Sequence, residues 1–80
     1  MTIPKKNNST NSQRARILRW LRKAPLTTLQ ARQELFIMSI AARIFELKER
    51  GHNIQTFMVD AAFGSKRKVA RYVLIPEATE

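Results

Sequence analysis

Hydrophobic and polar positions alternate along this chain with a helical period three times and then with a strand-like period twice. At about 100° per residue, Ile17, Leu18, Trp20, Leu21 and Ala24 share one broad arc, while Arg16, Arg19, Arg22 and Lys23 occupy the other. The pattern predicts a helix from about Gln13 to Lys23, N-capped by Ser12 and stopped by Pro25, that buries one face and presents a basic one. Leu26 stands isolated between Pro25 and Thr27, as a short bridging strand does. Thr27 and Gln30 have capping-box spacing for a second helix of about two turns that ends near Leu35. Phe36, Ile37 and Met38 form a turn, and Ser39 caps a third helix in which Ala41, Ile44, Leu47 and Lys48 recur at helical spacing. Gly51 supplies the left-handed residue that ends it, after Lys48 and Arg50 in a last turn that favours cations.

From Asn53 to Val59, and again from Val69 to Leu74, the chain turns β-branched and aromatic. Asp60, Gly64 and Ser65 lie between as turn residues of a loop too long for a two-residue hairpin and suited to a flexible wing from Asp60 to Lys68. Alternation alone leaves both faces of the second strand open. The cost of burying an unpaired charge places Tyr72 and Leu74 inward and Arg71 outward.

Eighty residues with 44% apolar content give one small domain with a single core and little margin. Residues 1–11, rich in Asn, Ser, Thr and Lys, are expected to form a disordered basic arm, residues 12–75 the folded domain, and residues 76–80 a short acidic tail. The absence of cysteine removes disulfides and thiolate ligands, and His52 alone builds no metal site, so no cofactor and no metal are expected. The apolar runs are far shorter than a membrane span needs, and the first residues lack the apolar core of a secretion signal; a cytoplasmic protein is the expectation.

Charge sharpens this picture. Fifteen Lys and Arg against six Asp and Glu give a formal net charge of +9, which implies a polyanionic partner such as nucleic acid. Lys5, Lys6, Arg14, Arg16, Arg19, Arg22 and Lys23 precede Pro25 with no acidic residue among them, and Lys66, Arg67, Lys68 and Arg71 form a second cluster. Residues 26–59 between them are close to neutral, with Arg32, Arg43, Lys48 and Arg50 set against Glu34, Glu46 and Glu49. Two basic flanks around a neutral middle suit a domain that grips phosphates at its edges and reads bases with its centre.

The run SQRARILRWLRK, then LTTLQARQEL, AARIFELKERGHNI and a closing VARYVL resembles the short winged helix-turn-helix DNA-binding proteins of phages and prophages over residues 13–75. The resemblance implies an α+β fold, three helices followed by a β-hairpin wing, with the third helix as recognition helix. Such domains commonly place Gly at the turn where this chain has Phe36, a residue strained wherever positive φ is required.

With Ile44 and Leu47 inward, Ser39, Ala42, Arg43 and Glu46 are expected on the opposite side of the third helix, with Arg50 further along. There Arg43 can donate to guanine O6 and N7, Glu46 can accept from a cytosine amino group, and Ala42 can meet a thymine methyl. The plainer alternative makes Arg43, Glu46 and Arg50 ordinary ion pairs one turn apart on a solvated face. Lys66, Arg67, Lys68 and Arg71 near the wing, and Arg14 and Arg16 on the first helix, are the expected backbone contacts. Lys5 and Lys6 either enter a minor groove or only raise local affinity. Trp20 is expected as a core anchor, His52 as a turn residue, and Phe45 and Phe57 as candidates for a dimer contact.

The expected function is sequence-specific binding of double-stranded DNA, in a phage or prophage regulator of transcription or recombination. A single winged domain covers one half-site, which leaves a homodimer open. The alternative class is a protein-interaction module whose basic surface meets an acidic partner. No nucleophile–base pair stands out, so an enzyme is not expected.

Overall fold

A computed structural model describes residues 9–76. Its elements are α1 (Thr10–Leu21), β1 (Leu26–Thr27), α2 (Thr28–Glu34), α3 (Ile40–Glu49), β2 (Ile54–Asp60) and β3 (Lys68–Leu74). The three strands form one antiparallel sheet in the order β1-β3-β2, so the hairpin of β2 and β3 is tied to the helices through β1. Three helices and a sheet of this order are the α+β, winged helix-turn-helix architecture expected from the residues.

α1 begins earlier than expected. Ser9, in extended conformation, accepts from the Ser12 amide at 3.2 Å, so Ser9 is the N-cap and Ser12 lies inside the first turn. Residues 9–11 therefore belong to the cap and the helix rather than to the arm; the expectation for residues 1–8 lies outside the described residues, as does that for residues 77–80. At its other end α1 stops at Leu21, two residues short of Lys23. Lys23 and Ala24 both turn back onto the Trp20 carbonyl, because the residue before Pro25 is pushed out of helical geometry.

The short strand β1 holds Leu26 opposite Tyr72 and Thr27 opposite Arg71. Thr27 then caps α2 in a full capping box: its hydroxyl accepts from the Gln30 amide and the Gln30 side chain accepts from the Thr27 amide. Ile17, Leu21, Leu26, Ala31, Ile37, Ile40, Ile44, Leu47, Ile54 and Tyr72 form one buried cluster drawn from every element. Ile17, Leu26, Ile37 and Leu47 are sealed off completely, and such side chains contribute about 1.5 to 3 kcal/mol each. On β3, Tyr72 is buried and Leu74 partly so, while Arg71 points to solvent, as the cost of burying charge requires. Trp20 packs at the edge of the core and donates through Nε1 to the Pro25 carbonyl at 2.9 Å, which makes it an anchor of the α1–β1 corner.

The two helix ends inside the helix-turn-helix unit use the same device. At the end of α3, Gly51 has φ +100°, its amide donates to the Lys48 carbonyl and the His52 amide to the Leu47 carbonyl, a Schellman motif. At the end of α2, Phe36 takes φ +56°, and the Ile37 amide reaches back to the Ala31 carbonyl at 2.9 Å. This left-handed turn drops Ile37 into the core and leaves the Phe36 side chain in solvent. Phe36 is the one non-glycine residue with positive φ among those described, so the strain anticipated for this position is present.

Candidate nucleic-acid interface

The outward face of α3 differs from the one expected. Ile40 is buried beside Ile44 and Leu47, whereas Ala41 and Lys48 are exposed. At about 100° per residue Ile40 falls on the same side as Ile44 and Leu47, and the direction opposite this stripe passes nearer to Ala42 and Glu49 than to Arg43 and Glu46. Arg43 and Glu46, expected on the open side, lie on the flank beside α1, whereas Ala42 is exposed as expected and is joined there by Phe45 and Glu49. Ala41 and Lys48 border the same open side. Ser39 stands exposed at the helix start, in the N-cap position but with no side-chain capping bond, so its hydroxyl is not committed to the helix.

On the flank, Glu46 accepts from two guanidinium groups at once. Arg14 of α1 donates to Oε1 at 2.6 Å and Arg43 donates to Oε2 at 2.9 Å, with a further contact from Arg43 to the Gln13 side chain at 3.4 Å. The Arg14 and Arg43 side chains retain 11% and 14% of their exposure, against 32% for Glu46, so this seam is half closed to water. The Arg14 hydrogen bond holds the Glu46 carboxyl below the ordinary glutamate range. The Arg43 hydrogen bond and both positive charges act in the same direction, and partial desolvation opposes them. Arg43 Nε is buried without an acceptor, so the arrangement leaves one donor unanswered. The pair one turn apart that the plainer alternative foresaw between Arg43 and Glu46 is present, and the contact from Arg14 across the helices adds to it.

The remaining site residues from the sequence divide between scaffold and surface. Arg16 donates to the Leu35 carbonyl at 2.6 Å and so ties α1 to the end of α2. Arg50, as C-cap of α3, is exposed. At the wing, Lys68 pairs with Asp60 across the last rung of the β2–β3 ladder, which leaves Lys66 and Arg67 beyond it. Lys66, Arg67 and Arg71 are exposed and take part in no ion pair among the described residues.

The wing tip is a built turn rather than a loose loop. Ala61 donates to the Arg67 carbonyl and Ser65 to the Ala62 carbonyl, both at 2.8 Å, and Gly64 at φ +76° supplies the left-handed third position of the turn. The Arg67 amide donates to the Ser65 hydroxyl, and Phe63 is fully exposed at the apex.

Two contributors were missed in the sequence. Arg32 of α2 lines a recess of about 400 Å³ together with Thr28, Leu29, Met58, Arg67, Lys68, Val69 and Ala70, which joins the second helix to the wing base in one cationic concavity. Its signal was an Arg in the last turn of a short helix, indistinguishable from a solvated charge until β3 is placed beside it. Phe45, considered only as a dimer contact, stands 60% exposed on the open side of α3. Ile40, directly after the cap residue, was the available signal, since it fixes the phase of that helix.

A helix-turn-helix unit with an exposed second helix and a cationic hairpin beside it defines the winged helix-turn-helix class. The winged helix-turn-helix domain family matches residues 12–77, and the chain belongs to that family. No curated protein and no solved structure gives a significant match to the chain. Among the described residues no helix is long and apolar enough to cross a membrane, and no group of three or more His, Cys, Asp or Glu stands together as a metal site.

Proposed function

We propose that this domain binds double-stranded DNA in a sequence-specific manner, with α3 in the major groove and the wing on the adjoining backbone. The observation that carries this reading is the division of its charges. Arg14 and Arg43 are held by Glu46, while Lys66, Arg67, Arg71 and Arg50 are exposed and the outward face of α3 is uncommitted. A surface of that form attracts phosphates at its rim and leaves its middle for base edges. Ser39 at the start of α3 offers a further donor, and Arg32 adds a cation to the recess at the wing base.

Arg43 and Glu46 support the reading indirectly, by fixing the rotation of α3 against α1. A regulatory role in phage or prophage transcription or recombination is supported by the resemblance of AARIFELKERGHNI and VARYVL to that group. A homodimer supplies the second half-site that one winged domain leaves unread.

Retention of a random duplex pool across a salt series, with sequencing of the retained fraction at about 150 mM salt, tests the proposal. The expected outcome is an enriched motif of a few base pairs and a log–log salt slope of about −3.6 to −4.5, corresponding to about four or five neutralised phosphates. No retention at any salt concentration would overturn it and turn attention to an acidic protein partner for the same cations.

A further inference from the structure

We infer that α3 reads thymine methyl groups by apolar contact, rather than reading base edges with charged side chains. The inference rests on the DNA-binding reading above and concerns what is recognised at that site. The first two turns of a recognition helix carry most contacts to base edges. Here the side chains open to solvent in those turns are Ala41, Ala42 and Phe45, whereas Arg43 and Glu46 are engaged with each other and with Arg14. Lys48 and Glu49 lie in the last turn, and Met38, two residues ahead of the helix, is 70% exposed.

The charge around this surface argues for its occupant. A helix face that is apolar over its first two turns and carries Lys48 and Arg50 beyond them, in a domain whose wing exposes Lys66 and Arg67, suits a groove whose walls are phosphates and whose floor carries methyl groups. The C5 methyl of thymine is the apolar group that the major-groove floor of duplex DNA offers, and Ala and Phe are side chains that meet it. Withdrawing Arg43 from Glu46 to reach a guanine would leave Arg14 and Glu46 as a pair and strip Arg43 of both its contacts at the seam. Short apolar side chains reach a methyl with no such rearrangement.

The test compares the duplex selected from the random pool with two synthetic copies at one salt concentration, one with deoxyuridine replacing thymidine and one with 7-deazaguanine replacing guanine. The deoxyuridine copy is expected to bind about fourfold more weakly for each methyl lost from contact, and the 7-deazaguanine copy equally well. Phe45→Ala, a change at an exposed side chain, is expected to narrow the difference between the thymidine and deoxyuridine copies, with Ala41 and Ala42 keeping the remainder. Equal binding of those two copies with weakened binding of the 7-deazaguanine copy would overturn the inference in favour of an arginine that leaves the seam. A pool retained without any enriched motif would also overturn it while leaving DNA binding intact, and a pool never retained would remove both.

Discussion

At the seam between α1 and α3, Arg14 and Arg43 close on the two oxygens of Glu46 with most of their surface covered, while at the wing tip Lys66 and Arg67 stand in water beyond the single pair of Lys68 with Asp60. The residue types are the same, and in the sequence both groups read as parts of one basic surface. Placement separates them: a cation next to a packed helix–helix contact finds an acceptor within the protein, whereas one at the end of a hairpin projects past every other element. The first group orients the helix that is offered to a partner, and the second remains available to the partner itself. Charge that is already neutralised adds little to association with a polyanion; charge left free releases counterions from it.

The comparison can be broken most severely from below. Ile17 lies fully buried one turn along from Arg14, and Ile17→Ala is expected to destabilise the domain by about 2 to 5 kcal/mol in chemical denaturation, because the seam rests on apolar packing before it rests on charge. A smaller loss than that of Glu46→Gln would show that the ions dominate instead.

The double substitution Lys66→Ala with Arg67→Ala is expected to act on the other region alone. Affinity for any duplex falls, the salt slope shrinks in magnitude by about 2, and the thermal midpoint stays within error, as paired binding and melting measurements would show.

Paired backbone substitutions sharpen the picture at the turn. Phe36→Gly is expected to stabilise and Gly51→Ala to destabilise, each by about 1 kcal/mol, since both positions hold positive φ and a Cβ at Gly51 meets no atom within 4 Å. Opposite signs in equilibrium unfolding are the check.

Glu46→Gln is expected to have the smallest effect, a modest fall in melting temperature that depends on pH. The folded-state carboxyl is held below its ordinary range, so its contribution is complete above the ordinary glutamate range and is lost as pH falls through the lowered folded value. The melting temperatures of Glu46→Gln and the native chain should therefore converge in acid, and a gap that widens there would reverse the assigned sign.

Most of the fold was legible because its signals are local. Pro25 after a basic amphipathic run, the Thr27–Gln30 box, Gly51 and the β-branched runs each act within a few residues of themselves, and the elements fall within about three residues of their expected ends. Ser9 replaced Ser12 as N-cap because two serines three residues apart can both cap, and the choice between them depends on how far the helix can extend. The site was less legible because it depends on phase. Arg43 and Glu46 stand far enough round α3 from Ala42 to be drawn into contacts with Arg14 and Gln13 of α1, and this leaves the open side of the first two turns to Ala41, Ala42 and Phe45. Contacts such as Arg14 with Glu46, 32 residues apart, carry no local signal at all.

The most direct measurement of the central claim is a backbone and arginine side-chain NMR titration of the intact chain with a duplex selected from a random pool. The account predicts that the largest shift changes fall on Ala41, Ala42 and Phe45 of α3 and on Phe63 to Arg67 of the wing, while the Arg14 and Arg43 guanidinium signals keep their free-state positions. Large changes at those two guanidinium groups, with α3 and the wing tip unmoved, would contradict it.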